Sequence, residues 1–276
     1  MNLVAGDLGE VVESGVVTQE SFAWVGISCI LAPHCGPHET EMFKSARQFL
    51  LLIFLLPIVP VHQAAKSQTE PKPVPVYEEP HHHVVFHNQY ARLLDVHIPA
   101  HEATGFHIHP NPLTGVTIQD QPGWEQLFGQ QQKDKEAPEA PGTPFDNWDR
   151  KRPYTHRVSN DGNDEIHYVA SEWLGASGTH SERLPDTATR KLVKEGEYVR
   201  IYRVRLGPGE SSEPHSHAAP GFTIQALDGE VEDTGTRFGA VGGKGAGAWS
   251  WRDPGHQHTV RNRGSRPVEI IEIDWR

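Results

Sequence analysis

From Val84 onward the chain alternates between apolar and polar positions. Leu94, Val96 and Ile98 fall at every second place with Leu93, Asp95 and His97 between them, the period that gives a β-strand one buried face. The pattern returns as Tyr202, Val204 and Leu206, interleaved with Ile201, Arg203 and Arg205. Such runs are short and are broken by turn-forming residues, 26 Gly and 22 Pro in 276 residues, which suits many strands better than a helical bundle. An all-β chain is expected.

The two runs belong to an internal repeat. Tyr90, Arg92, Val96, Glu102, His107, His109 and Pro112 match Tyr198, Arg200, Val204, Glu210, His215, His217 and Pro220 at a constant offset of 108 residues. Further on, His156, Val158, Asn160, Gly162 and Trp173 match His258, Val260, Asn262, Gly264 and Trp275 at an offset of 102. The first copy therefore has a connection six residues longer. That connection, 119–147, is rich in Gln, Lys, Glu, Pro and Gly and reads as a mobile loop, where the second copy has a tighter glycine-rich link, 239–247. Two domains are expected, 84–175 and 191–276, joined by 176–190.

The N-terminal part has a different character. Residues 49–61 are an apolar run, preceded by Lys44 and Arg47 and followed by Ala64 and Ala65. This is the layout of a secretory signal, with Met42 as its expected start. A spanning helix needs about 20 apolar residues, and this run is shorter and holds Pro57 and Pro60. Residues 1–65 are thus read as an extension and signal, disordered or removed, and the mature chain as periplasmic or secreted with no stable membrane span. Residues 66–83 read as a proline-rich linker, ending in a solvated run of His81, His82 and His83. Both cysteines, Cys29 and Cys35, precede the signal, so neither a disulfide nor a cysteine-based metal site is expected in the mature chain.

Net charge of −11 and the lack of a basic stripe argue against a nucleic-acid partner. The 18 histidines carry the chemistry. A His-x-His pair alone is weak, since roughly one is expected by chance at this content. Recurrence at matching positions lifts His107 with His109, and His215 with His217, each followed by a third histidine, His156 or His258. Residues i and i+2 of a strand share a face, so each pair presents two imidazoles side by side, and a third from a distant strand completes a site. Neutral imidazoles suit Fe, Mn, Ni, Cu or Zn, and three protein ligands leave open positions for water or substrate. His256 and Tyr154 lie two places before His258 and His156 and share their faces. They are the candidate catalytic pair, the plainer alternative being hydrogen bonding at the barrel mouth. Asn160 and Asn262 are expected to shape turns, and Trp173 and Trp275 to close the core.

At these residues the chain resembles the cupin superfamily. Gly209, His215, His217 and Gly229 fit its first motif, and Gly247, Gly255, His258 and Asn262 its second. The resemblance implies a bicupin, two tandem jelly-roll β-barrels, and pairing through barrel edges in a homodimer. It also implies a glutamate as fourth ligand, but that position holds Phe222 in the second copy and Thr114 in the first. Asp253 replaces the motif proline, and His101 and Pro153 replace two glycines in the first copy. Three-histidine sites of this kind occur among cupin-like dioxygenases. A divalent ion held by three neutral ligands keeps its full charge and favours a small anionic ligand, with Phe222 drying the second pocket and Thr114 leaving the first more polar. Three readings follow: a metal-dependent oxygenase-type enzyme with His215, His217 and His258 as principal ligands and His107, His109 and His156 as a second set, a non-catalytic periplasmic binder of a small acidic molecule, or a structural pair with one degenerate barrel.

Overall fold

The computed structural model describes residues 71–148, 150–175, 182–234, 241–242 and 244–276. The signal-like run, Met42, both cysteines and part of the expected 176–190 linker lie outside the described residues. Among those described, no helix is long and apolar enough to cross a membrane.

The first copy forms β1 (Val74–Pro75), β2 (His82–His87), β3 (Ala91–Ile98), β4 (His107–His109), β5 (Leu113–Gln119), β6 (Gly123–Leu127), β7 (Asp134–Glu136), β8 (Pro144–Asp146), β9 (Tyr154–Asn160) and β10 (Ile166–Trp173). The second forms β11 (Arg190–Glu195), β12 (Val199–Leu206), β13 (His215–His217), β14 (Gly221–Gln225), β15 (Val231–Thr234), β16 (Val241–Gly242), β17 (Trp249–Arg252), β18 (His256–Asn262) and β19 (Val268–Trp275). In the first, the sheets run β1-β4-β9-β6-β7 and β2-β3-β10-β5-β8. In the second they run β11-β12-β19-β14-β17-β16 and β13-β18-β15. This is the double Greek-key connectivity of a jelly roll. The chain is all-β and folds as two tandem jelly-roll barrels, the architecture that the cupin resemblance implies.

Local chemistry repeats along with topology. The Asn160 amide donates to the Ile98 and Asp164 carbonyls at 2.9 and 2.8 Å, while its oxygen accepts from Gly162 N–H at 2.9 Å. Asn262 does the same with Leu206, Arg266 and Gly264, so both asparagines pin the turn after the strand. Gly209 is left-handed at φ 74°, and His101, its counterpart, takes φ 64° at the same bend. A histidine there carries a steric cost that glycine avoids.

The strands are buried on two faces, which simple alternation does not convey. Leu94, Val96 and Ile98 pack inside the first barrel with Leu113, Ile166 and Val76, and Val204, Leu206, Val268 and Ile270 fill the second. Leu93 and Ile201, on the opposite faces, join a third cluster drawn from both copies. In this seam Trp173 stacks on Trp275 at 5.4 Å, and Phe86 stacks on Trp251 at 5.2 Å and meets Phe222 edge-on at 5.5 Å. The Trp275 indole also donates to Ser171 Oγ at 3.0 Å. The two barrels thus share one core and form one compact unit.

Two expectations are corrected. Residues 119–147 are not a loop throughout: β6, β7 and β8 lie within them, and β6 pairs along β9 from Gly123↔Asn160 to Leu127↔His156. The polar composition misled because β6 and β7 cover a cavity instead of a dry core. The linker reading of 66–83 also fails at its C-terminal end. β1 pairs in parallel with β4, Val74 opposite His107, and Val76 is fully buried in the first core. Pro75 is tolerated because β1 is an edge strand, where a missing N–H costs no ladder bond.

The seam gives a stability prediction. Trp251 is 2% exposed, and Trp251→Ala should cost about 3–5 kcal/mol. Val84→Ala, on the exposed face of β2 at 45%, should cost less than about 0.5 kcal/mol. Equal losses in chemical denaturation would remove the seam from its place as shared core.

Candidate metal centres

Each triad is assembled by one short antiparallel pairing. β13 lies against β18 with His215 opposite His258 and His217 opposite His256. β4 lies against β9 with His107 opposite His156 and His109 opposite Tyr154. Because i and i+2 share a face, three imidazoles meet in each barrel. Ring centroids lie 4.4–5.1 Å apart in the second and 4.5–5.0 Å apart in the first. The His256 side chain lies outside the described residues.

In the second barrel the outer nitrogens are all engaged. His215 Nδ1 meets Glu213 O at 2.8 Å, His217 Nδ1 meets Asp274 Oδ1 at 2.8 Å and His258 Nδ1 meets Asp233 Oδ2 at 2.9 Å. Burial holds His217 below its usual pKa and takes His258 down to about 3, so these rings are neutral. A neutral ring that donates from Nδ1 has a lone pair on Nε2, and His217 Nε2 stands 3.1 Å from His258 Nε2. Two nitrogens bound at right angles to one ion at about 2.1 Å would be about 3.0 Å apart.

A carboxylate completes this set, contrary to expectation. Glu272 of β19 is fully buried, with Oε1 3.2 Å from His215 Nε2 and 3.4 Å from His258 Nε2. Burial alone would raise its pKa, but the facing imidazoles hold it well below the usual carboxylate range. Its Oε2 has no hydrogen-bond partner. Lone pairs and a carboxylate converging in a dry core need a cation, so a divalent metal fits. The motif position itself is elsewhere: Phe222 is buried in the seam and does not dry the metal pocket. Thr114 shares the strand parity of Val116 and Ile118, both seam residues, and donates to Phe145 O at 2.9 Å. Parity could have revealed Glu272, since Glu272 and Asp274 alternate with the seam residues Ile271 and Ile273 and continue the inward row of Val268 and Ile270.

The first barrel differs at one decisive place. Ala170 occupies the position that Glu272 holds in the second, and its triad opens on a cavity of about 440 Å³. His109 Nε2 and His156 Nε2 are 3.0 Å apart. His107 Nδ1 meets Gly105 O at 3.0 Å and His156 Nδ1 meets Glu125 Oε1 at 2.6 Å, while His109 Nδ1 is buried with no hydrogen-bond partner. Burial, then the neighbouring histidines, hold His107 and His109 well below the usual imidazole range. This donor set also fits a divalent ion, here with open positions.

Around the first triad stand residues whose roles are local. Tyr154 is 8% exposed, lines the cavity and donates its hydroxyl to Glu125, the same carboxylate oxygen that holds His156. Burial and then Glu125 push the Tyr154 hydroxyl up, keeping it protonated. His82, expected to be solvated, instead lines the cavity with its ring 4.5 Å from that of His107. Glu79 sets this up, accepting from His82 Nδ1 at 2.6 Å and from Gly105 N–H at 3.1 Å. Among the described residues, Asp120, Glu125, Glu136, Glu139 and Asp146 make the cavity acidic, and Arg150 is the one Arg or Lys lining it.

No protein-family model and no curated protein matches this chain. Solved structures do resemble it. AerE from Microcystis aeruginosa is 13% identical with a TM-score of 0.48, covering 72% of this chain and 98% of that one. Oxalate decarboxylase from Bacillus subtilis, with Mn(II) centres, is 11% identical with a TM-score of 0.46, covering 68% and 69%. Salicylate 1,2-dioxygenase from Pseudaminobacter salicylatoxidans is 10% identical with a TM-score of 0.45, covering 67% and 71%.

The acidic rim gives a pH prediction. Crowding by protein, then Glu125, Asp120 and Glu139, pushes Glu136 from 4.5 up to about 7. The folded state then holds a proton between those values that the unfolded chain releases, so this group's contribution to stability falls as pH rises through that window. Because the side chain reaches solvent, screening keeps the effect small. Glu136→Gln should raise the melting temperature at pH 8 and leave it unchanged at pH 4.5. A gain of the same size at both pH values would show that charge at Glu136 is not the cause.

Proposed function

We propose that the first barrel is the catalytic half of a metal-dependent enzyme of oxygenase type, and that the second barrel holds a structural metal. One contrast carries this reading: matched triads, of which one opens on a cavity beside Ala170 and the other is closed by the buried Glu272. Structural sites are closed and catalytic ones keep open positions. The three-histidine set without a carboxylate, as in the first barrel, is the one that the dioxygenase resemblance associates with oxygen chemistry.

The chain's own residues support one substrate class. His107, His109 and His156 would hold the metal, which when bound supplies a Lewis-acidic, redox-capable centre. Glu125 orients His156 and keeps the Tyr154 hydroxyl as a donor at the cavity wall. Val96, Ile98 and Ile166 exclude water from the floor. Arg150 lies 3.9 Å from Glu125 Oε2 and leaves the rim acidic overall, so a bound divalent ion would supply the attraction for a small molecule with a single anionic group, and polyanions are disfavoured. We place the mature protein outside the cytoplasm on the strength of the leader-like run, and read its quaternary state as a homodimer.

Exchange kinetics test this assignment. Protein loaded with Mn²⁺ or Fe²⁺ and treated with a chelator should lose its barrel metals in two phases, fast from the open centre and slow from the closed one. His107→Ala should abolish the fast phase and leave the slow one. Glu272→Ala should abolish or accelerate only the slow phase. No metal uptake after refilling, or loss of the fast phase in Glu272→Ala, would overturn the division of labour.

A further inference from the structure

A third group of ligating side chains lies outside both barrels' interiors. Asp95 and His97 of β3 alternate with the inward Leu94, Val96 and Ile98, so they stand on the opposite face of the sheet. β10 places His167 directly opposite His97, and β2 places His83 directly opposite Asp95. Three histidines and one aspartate thus form a zigzag across β2, β3 and β10. Asp95 Oδ1 is 2.8 Å from His167 Nε2 and 3.2 Å from His97 Nε2. The His97 and His167 rings stack at 4.3 Å with 19° between their planes, so both Nε2 atoms open toward the same carboxylate. The His83 ring is 6.2 Å from that of His97.

The second copy shows what these positions hold when no ligand is involved. By the same offsets, Asp95, His97 and His167 correspond to Arg203, Arg205 and Glu269. There the carboxylate is bound by Arg203 Nε at 3.0 Å and Arg205 Nε at 2.6 Å, an ion pair that carries its own cations. The first copy has no arginine at these places, and every side chain of the zigzag is a metal-ligating type. His97 Nδ1 meets Glu165 Oε1 at 2.8 Å. With Nδ1–H given to Glu165, His97 presents Nε2 to Asp95 Oδ1 at 3.2 Å, a gap that a proton or a metal ion can bridge; against burial, Glu165 and Asp95 raise the His97 pKa. A carboxylate on the far nitrogen of a histidine is the usual support of a metal-binding ring.

We propose that Asp95, His97 and His167 form a peripheral divalent transition-metal site, distinct from the two barrel centres, with His83 placed to supply a fourth ligand. Three of the side chains are half-buried and His83 is exposed, which leaves positions open to water. Two or three imidazoles with one carboxylate suit Zn²⁺, Ni²⁺ or Cu²⁺ better than Mg²⁺ or Ca²⁺. A small rotation of the stacked rings would aim both lone pairs at one ion. The site also touches the neighbouring barrel: a side chain at Gly247 would come within 2.6 Å of His167 Cε1. An ion here would therefore join β3 and β10 at the edge of the seam.

Zn²⁺ titration of the full chain tests this, followed by calorimetry and elemental analysis. The parent protein should bind one equivalent more than His97→Ala or His167→Ala, and this equivalent should be the first lost to dilute chelator. His107→Ala and Glu272→Ala should retain it, which separates this site from the barrel assignments. A triple variant, Asp95→Arg, His97→Arg and His167→Glu, installs the second copy's ion pair and guards against loss of fold. It should also bind one equivalent fewer. If the triple variant binds as many equivalents as the parent, or if Zn²⁺ uptake is unchanged in both alanine variants, a proton and not a metal bridges these groups and the site is refuted.

Discussion

Register is the constraint on which the rest depends. β4 against β9, and β13 against β18, are three-residue pairings, yet each decides where a whole centre exists. Because side chains alternate strictly, a slip of one residue would turn every ligand histidine to the other face. The pairings are short, so the register is fixed by longer neighbours: eight residue pairs join β3 to β10 and β12 to β19. The asparagine that ties the end of β9 or β18 back to the end of β3 or β12 provides a second anchor. Metal centres, turn chemistry and core packing are in this sense one design used twice.

Much of this was legible in the sequence, for a physical reason. Positions that recur in both copies answer the same constraint, so the six triad histidines, Asn160, Asn262, Trp173 and Trp275 stand out without any structure. Glu272 was hidden because it breaks the repeat, being matched by Ala170. The motif position where a carboxylate is expected holds Phe222, whose side chain serves the seam. His82 was hidden because only strand pairing, which is non-local, sets the strap against β4. β6 and β7 were hidden because strands that cover a wet cavity need not alternate. The seam was hidden because alternation describes one buried face, and here both are buried.

The two copies diverge where divergence matters. Their outer coordination is shared: Glu125 and Asp233 both hold the third histidine, and Gly105 and Glu213 both offer a carbonyl to the first. The inner walls differ at several places, Leu113 against Gly221 and Tyr168 against Ile270 among them, but the exchange beside the triad is alanine against glutamate. Removing a carboxylate from a buried centre yields space, an open coordination position and a higher residual charge at once. Glutamate in its place gives neutralisation and closure.

The strap formed by Val74 to Glu79 makes the first barrel sensitive to proteolysis from its N-terminal side. Its Val76 lies in the first core and its Glu79 ties His82 and Gly105 in place. A proteolytic cut past Glu79 would take away one wall of the first barrel's cavity while leaving the strands of the second barrel in place, so that the integrity of this strap would set whether both histidine triads keep their surroundings or only the closed one does.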